Sequence, residues 1–280
     1  MLDESRACDR EPIHVPGAIQ PHGVLVVLDT HRFEIQQVSA NSADLFGVTP
    51  ADAFGRPLSA LVGASADKLL GAVRAARTTL GEPILAEVNG SLFDVRAHYH
   101  QGVAIVEFER HDPAAAGTDA ALRSALARLQ RPSSVAEVCR IAVDEIRKIT
   151  GFDRVLLYRF DVDGHGDVIE EARAVDVDTY RGLRFPASDI PRQAREMYLL
   201  NWLRLIPDAG YTPVPLVPEL RPDISAPLDM SFCTLRSVSP VHLEYLQNMG
   251  VGASMSVSLV RAETLWGLVA SKPKLKTGAR

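Results

Sequence analysis

Apolar positions fall into short blocks separated by turn-forming residues, and the period of each block predicts its element. From Val24 the chain runs VLVVLD and then FEIQQVS, two strand-like blocks. The stretch NSADLFG follows, with Asn41-Ser42 placed before Leu45 and Phe46 as a helix start. A second helical stretch spans Ser65–Leu80, and LFDVRAHYH and GVAIVEFER alternate with period 2 around a turn at Gln101-Gly102. A sheet flanked by short helices over roughly 100 residues predicts a small α+β sensor-type domain. Residues 1–23, punctuated by Pro12, Pro16, Gly17, Pro21 and Gly23, are too irregular for a helix and read as an ordered arm.

The composition turns small and turn-forming at Pro113, three alanines and Gly117, which places a linker over 113–118 between a first domain at 24–112 and a second at 119–270. A helix is expected over Asp119–Leu129. Ser134-x-x-Glu137 is a capping box opening a second one, with Val135, Val138, Ala142, Ile146 and Ile149 at helical spacing and Gly151 as its stop. RVLLYRF and VIEEARA read as a hairpin, and 189–206 reads as helical after Pro191. Six prolines mark 207–229 as a long loop, SMSVSLV and LWGLVA close the domain as strands, and 271–280 reads as a basic tail.

The 280 residues are enough for about two domains, and 46% apolar with 23% charged residues excludes a disordered or fibrous chain. A net charge of −5 lacks the concentrated positive charge that binding a phosphate backbone requires, so nucleic acid is not expected as a partner. The apolar runs Val24–Leu28 and Leu199–Ile206 are far short of a membrane span, and MLDESRACDREP has no apolar signal region. The cytoplasm and a soluble, membrane-free protein are therefore expected. Cys8, Cys139 and Cys233 are spaced too widely for a disulfide framework or a zinc site.

Several motifs resolve into turns and strands. Gly252-Ala-Ser254-Met-Ser256 lacks the second glycine and the following helix of a nucleophile elbow. Gly250-x-Gly252 does not open a helix as a dinucleotide fingerprint must. Asp161-x-Asp163-x-His165-Gly166 has Ala172 where a calcium loop needs glutamate, so a hairpin turn is expected. His98 and His100 share a strand face and read as solvated.

Three features stand apart. Cys8 has Arg6, Arg10 and His14 close in sequence, and cations favour the nucleophilic thiolate. Arg184-Phe-Pro-Ala-Ser-Asp189-Ile-Pro191 places an acid, a ring and two prolines before a helix, where Asp189 is either a cap or a site residue. Arg236-Ser-Val-Ser239-Pro-Val-His242-x-x-Tyr245 gathers an arginine, a hydroxyl, a histidine and a phenol in an apolar domain.

At these residues the chain resembles the chromophore-binding part of a bacteriophytochrome, a PAS domain followed by a GAF domain. The resemblance rests on Cys8–Gly23, Gly151–Tyr158, Arg184–Pro191, Leu235–Leu246 and Leu265-Trp-Gly-Leu268, which together span nearly the whole chain. It implies two antiparallel sheets flanked by helices and a figure-of-eight knot, with the 207–229 stretch as lasso and Ile19 as the threaded residue. It also implies a red/far-red photoreceptor module holding biliverdin, a linear tetrapyrrole, through a thioether to Cys8. Val241 occupies the position where phycobilin-binding relatives carry their cysteine.

The pocket so implied is built from Tyr158, Phe185, Asp189, Ile190, Pro191, Tyr198, Arg204, Arg236, Ser239, His242, Tyr245, Ser254 and Ser256. Arg204 and Arg236 would clamp propionates, with Tyr198 and the serines adding hydroxyls. Tyr158, Phe185 and Tyr245 would surround the ring that rotates. His242, tuned near neutrality, would serve the proton network.

The end of the chain departs from the family. Ser271, Lys272 and Pro273 stand where Cys-His-His is usual, so a pocket histidine that would bond the outer ring carbonyl is replaced by Lys272 or lost. The family's final GAF helix, PHY domain and histidine kinase are expected to be absent. The expectation is a truncated or altered product with a weakened dimer interface, an unstable photoactivated state, no catalytic activity, and an output domain or response regulator on another segment or chain. The competing expectation is a PAS–GAF sensor that has lost bilin and binds another small ligand or a partner protein.

Overall fold

A computed structural model describes residues 11–76, 82–113 and 118–273. Cys8, the end of the second predicted helix, most of the linker and the basic tail from Lys274 lie outside the described residues. The chain divides into two compact units. One comprises Pro12–His111 with Tyr211–Ser239, the other Asp112–Gly210 with the chain from Pro240 onward.

The first unit is built on strands β1 (Ala18–Ile19), β2 (Gly23–Asp29), β3 (Ile35–Ser39), β4 (Ile84–Val88), β5 (Ser91–His100) and β6 (Val103–Arg110). Short helices α1 (Ser42–Phe46), α2 (Pro50–Ala53), α3 (Ser59–Val62) and α4 (Ala66–Ala75) connect β3 to β4. The run Val24–Leu28 is wholly buried because both faces of its strand are covered. Val24, Val26 and Leu28 join the helices and the edge-to-face rings of Phe46, Phe93 and Phe108, while Leu25 and Val27 face Leu216, Leu228, Met230 and Leu235.

That second cover comes from the proline-rich stretch expected to be a loop. It carries a strand, β11 (Val214–Val217), between β1 and β3 in a seven-stranded sheet of order β1-β11-β3-β2-β6-β5-β4. Pro213, Pro215 and Pro218 fit an element with few ladder partners. Buried Glu107 fastens the same stretch by accepting the backbone N–H groups of Thr234 and Leu235 at 3.1 and 2.6 Å. His98 and His100 are not on a solvated face. His98 is 0% exposed with Cys233 Sγ at 3.9 Å, and His100 meets the Asp229 carboxylate at 3.2 Å. Period 2 correctly put both on one face, but residues 229–233 cover it.

The second unit opens with α5 (Asp119–Leu129) and α6 (Val135–Thr150). The capping box forms as read: Ser134 Oγ accepts from Glu137 N–H at 3.2 Å, and the Glu137 carboxylate accepts from Ser133 N–H. Gly151, at φ +68°, supplies the left-handed stop. Helix α6 packs Cys139 and Val143 onto the sheet and leaves Val135 and Val138 exposed.

The sheet has six strands in the order β10-β12-β13-β7-β8-β9, drawn from β7 (Arg154–Phe160), β8 (Gly166–Arg173), β9 (Arg184–Phe185), β10 (Leu203–Ile206), β12 (Ser254–Arg261) and β13 (Thr264–Lys272). The β7–β8 turn is closed by the Asp161 carboxylate, which accepts the N–H groups of Asp163 and His165 at 2.9 Å. Two expectations change here. The helix after Pro191, α7 (Arg192–Leu200), ends early, and 203–206 is an edge strand. Strand β13 runs through Lys272, so Ser271 and Lys272 belong to the sheet rather than to a tail.

Candidate functional site

Alternation along β7, β12 and β13 builds the site. Val155, Leu157, Val257 and Val269 face α6 and close the core on that side. Their neighbours Leu156, Tyr158, Ser254, Ser256, Leu268, Ala270 and Lys272 face the other way and floor a cavity of about 730 Å³, part of it open to solvent. Register puts Ser256 beside Ala270 and Ala270 beside Leu156, with Leu268 beside Tyr158. The walls are Tyr180, Phe185, Asp189, Ile190 and Tyr198 on one side, and His242, Tyr245, Leu246 and Met249 of α8 (Pro240–Asn248) and the turn after it on the other.

Two close approaches fix Tyr158, one at its ring and one at its backbone. A Cβ at Gly166 would sit 1.6 Å from Tyr158 Cζ, and one at Gly267 would sit 2.4 Å from the Tyr158 carbonyl oxygen. The Tyr158 ring meets Phe160 edge-on at 5.2 Å and Phe185 at 6.1 Å, and burial pushes its phenol up to about 12. The 187–190 segment is held from behind by Arg195, which donates to the Ile190 carbonyl at 2.9 Å.

Polar groups gather at one end. Tyr245 donates a long hydrogen bond of 3.5 Å to Asp189 Oδ2, and His242 stacks on Tyr245 with ring centres 6.2 Å apart. Burial raises the Asp189 carboxyl, with Tyr245 and Lys272 opposing that shift. Asp189 lines the cavity rather than capping α7, whose N-cap position is Pro191 with no side-chain cap bond. His242 is not tuned near neutrality. Burial, then the charges of Lys272 and Arg204, lower it to about 4, so it is a neutral imidazole at pH 7.

Of the expected site residues, Tyr158, Phe185, Asp189, Ile190, Tyr198, His242, Tyr245, Ser254 and Ser256 line this one cavity. Arg204 lies on β10 opposite Ser256, and Pro191 stands just before α7. Arg236 and Ser239 belong to the first unit, where Arg236 is 6% exposed and donates to the Ile13 carbonyl at 2.6 Å. Sequence reading passed over Leu156, Tyr180, Leu246, Met249, Leu268 and Ala270 as lining residues. Stepping by two from Tyr158 and along LWGLVASK finds Leu156, Leu268 and Ala270. Tyr180 and Met249 follow no such period.

Comparison with known proteins places this geometry. The family model of the PAS fold matches residues 8–111, and that of the GAF domain matches 134–271. Cyanobacterial phytochrome B of Nostoc sp. is 45% identical over 94% of this chain, and a bacteriophytochrome of Xanthomonas campestris is 41% identical over 94%. The chain spans only 36% and 42% of the lengths of these two relatives.

Among solved structures, the chromophore-binding domain of a Stigmatella aurantiaca phytochrome is 45% identical, with 96% of this chain and 91% of that one covered at a TM-score of 0.87. The corresponding domain of an unusual R. palustris bacteriophytochrome is 42% identical, with 96% and 90% covered at 0.88. At that identity and mutual coverage, with the PAS fold and the GAF domain each matched in turn, the chain belongs to the bacteriophytochrome chromophore-binding domains.

Proposed function

We propose that this chain is a red/far-red light-sensing module that holds biliverdin in the GAF cavity through a thioether to Cys8. The observation that carries the reading is the cavity itself, an aromatic and aliphatic enclosure that also carries Asp189, His242, Tyr245 and Lys272. An apolar conjugated tetrapyrrole with polar ends fits that donor set. Bound biliverdin would supply absorption of red light and isomerisation of a double bond.

The chain's own residues do the rest. Leu156, Tyr158, Phe185, Ile190 and Leu268 exclude water and restrict how far a ring can turn. Ser254, Ser256 and Tyr198 offer hydroxyls, with Tyr198 already 3.5 Å from Ser256. Neutral His242 presents one donor and one acceptor. The Asp189–Tyr245 bond is long and half-exposed, so rotation of either side chain changes it, and the segment held by Arg195 carries that change outward. Arg204, on β10 beside Ser256 of the floor, is the guanidinium assigned to a propionate.

The module is not catalytic, and its output domain or response regulator lies elsewhere. Among the described residues no helix is long and apolar enough to cross a membrane. Exposed Leu122 and Leu126 on α5 support a homodimer. The knot is supported by Ile19, which pairs with Val214 on one side and bridges Arg236 on the other.

The test is to mix purified protein with biliverdin and record the red-region spectrum before and after red illumination. A sharp red band that shifts with light is expected. A folded protein that leaves the free-pigment spectrum unchanged would replace this reading with a PAS–GAF sensor for another ligand or a protein partner.

A further inference from the structure

Three side chains dock the 184–190 segment onto the β7–β8 turn. Arg184 pairs with the carboxylates of Asp161 and Asp167, the second at 3.1 Å. His165 Nδ1 accepts the Ala187 N–H at 3.2 Å. Arg195 Nη1, from α7, donates to the carbonyls of Gly164 at 3.3 Å, Ala187 at 3.4 Å and Ile190 at 2.9 Å. The turn leaves room for that guanidinium, since Gly164 stands at φ +84° and a Cβ there would sit 2.9 Å from Arg195 Nη1. The segment held in this way carries Phe185, Asp189 and Ile190 into the cavity.

The contact at His165 serves a donor that the segment does not satisfy itself. Ala187 opens a single 3₁₀ turn, Ala187–Asp189, and the first N–H groups of a helical turn have no partner within it. Pro186 stands at the cap position and offers no side-chain bond, so the acceptor for Ala187 comes from His165 of the β7–β8 turn. A ring nitrogen that accepts an N–H carries no proton, which puts the His165 ring proton on Nε2. The residue is itself fixed at its backbone, where the Asp161 carboxylate accepts the His165 N–H at 2.9 Å. The described residues that line the cavity do not include His165 but do include Asp189, whose Oδ2 accepts from Tyr245.

Resting on the bilin reading above, we propose that His165 is a positioning residue, whose unprotonated Nδ1 holds the Ala187–Asp189 turn and through it keeps the Asp189 carboxyl facing Tyr245 in the cavity. Arg195 fastens the carbonyl side of the segment and His165 the N–H side. Without the acceptor at His165, the Ala187 N–H must turn to water, and the segment opens more often. Asp189 is then in place for the pigment a smaller share of the time, and the light response weakens by that share.

The experiment uses the full chain loaded with biliverdin and compares three versions: His165 retained, His165→Asn and His165→Leu. Asparagine keeps an acceptor atom at the δ position, whereas leucine keeps bulk and offers none. The initial rate of the spectral change under constant red light is read for each, with Asp189 retained and with Asp189→Ala. With Asp189 present, leucine should slow the change roughly twofold to fivefold, and asparagine should restore it. With Asp189→Ala, the three versions should respond alike, because the route from His165 runs through Asp189. A loss of stability alone would instead slow both series by the same factor.

Two further readouts need no pigment. Hydrogen exchange of the Ala187 amide should be roughly fivefold faster in His165→Leu than in the unsubstituted chain, and close to normal in His165→Asn. Nitrogen-15 spectra of the unsubstituted chain at mildly alkaline pH should show His165 Nδ1 bare and Nε2 protonated. A protonated Nδ1, equal Ala187 exchange in all versions, or an equal leucine effect with and without Asp189 would overturn the role of His165 alone. Failure of the folded, unsubstituted chain to take up biliverdin would overturn the bilin reading and this role with it.

Discussion

The PAS and GAF units both alternate side chains between two sheet faces, but only one of them closes both faces. In the PAS unit, helices cover one face and residues 211–239 cover the other, so β2 is buried along Val24–Leu28 and Glu107 fastens the covering stretch through the N–H groups of Thr234 and Leu235. In the GAF unit, α6 closes one face, while the opposite face carries Tyr158, Ser254, Ser256 and Lys272 into a cavity. The difference teaches where function sits. A sheet face left without a packing layer is a ligand site when the loops around it bring convergent polar groups.

The sharpest way to break that contrast is to remove a ring from each unit. Phe93→Ala, deep in the closed PAS core, should cost about 3–5 kcal/mol by denaturation. Tyr245→Ala, at 36% exposure beside the cavity, should cost under about 1 kcal/mol without pigment, because little packs behind it. Equal losses would mean that the GAF cavity collapses into a core of its own.

Next in size is the pH dependence of the PAS clasp. Burial pushes Glu107 up from an ordinary 4.5 to about 7 despite the N–H groups of Thr234 and Leu235. The folded chain then holds more protons than the unfolded one between these values. Stability of the PAS unit should fall as pH rises from 4.5 to 7, by on the order of 3 kcal/mol, and Glu107→Gln should flatten that slope. Hydrogen exchange of β6 amides reads it directly, and a slope that persists in the variant would assign it elsewhere. His242 has the opposite sign: lowered from 6.5 to about 4, it removes GAF stability as pH falls through that window.

Smaller effects sharpen the account of how the cavity is shaped. Gly166→Ala forces a methyl into the Tyr158 ring and should cost about 1–3 kcal/mol, with a weaker or displaced red band after biliverdin is added. An unchanged spectrum would mean that Tyr158 is not a wall of the pigment site. Ser134→Ala removes the α6 cap on the closed side and should cost about 1 kcal/mol with no spectral change.

Much of this was legible in the residues because local chemistry specified it. The Ser134 box, the Gly151 stop and the Asp161 turn involve partners within a few positions, and all three form as read. The period-2 blocks located the strands, and period 2 also orders the cavity floor. What stayed hidden depends on distant pairing. The 207–229 stretch reads as a loop because its prolines mask β11, and only the second sheet face shows why it must lie there. His98 and His100 seemed solvated for the same reason. Arg204 and the residues before it gave a helical pattern, but pairing with Ser254–Val257 makes 203–206 a strand. The charge state of His242 could not be read from its neighbours in sequence, since Lys272 and Arg204 reach it only through the fold.

The central claim is tested most directly by incubating the chain and its Cys8→Ser variant with biliverdin, separating both on a denaturing gel and imaging zinc-induced bilin fluorescence. The account predicts a fluorescent band for the unmodified chain and none for the variant, while both show red absorbance before denaturation. Fluorescence from the variant, or none from a folded unmodified chain, would contradict it.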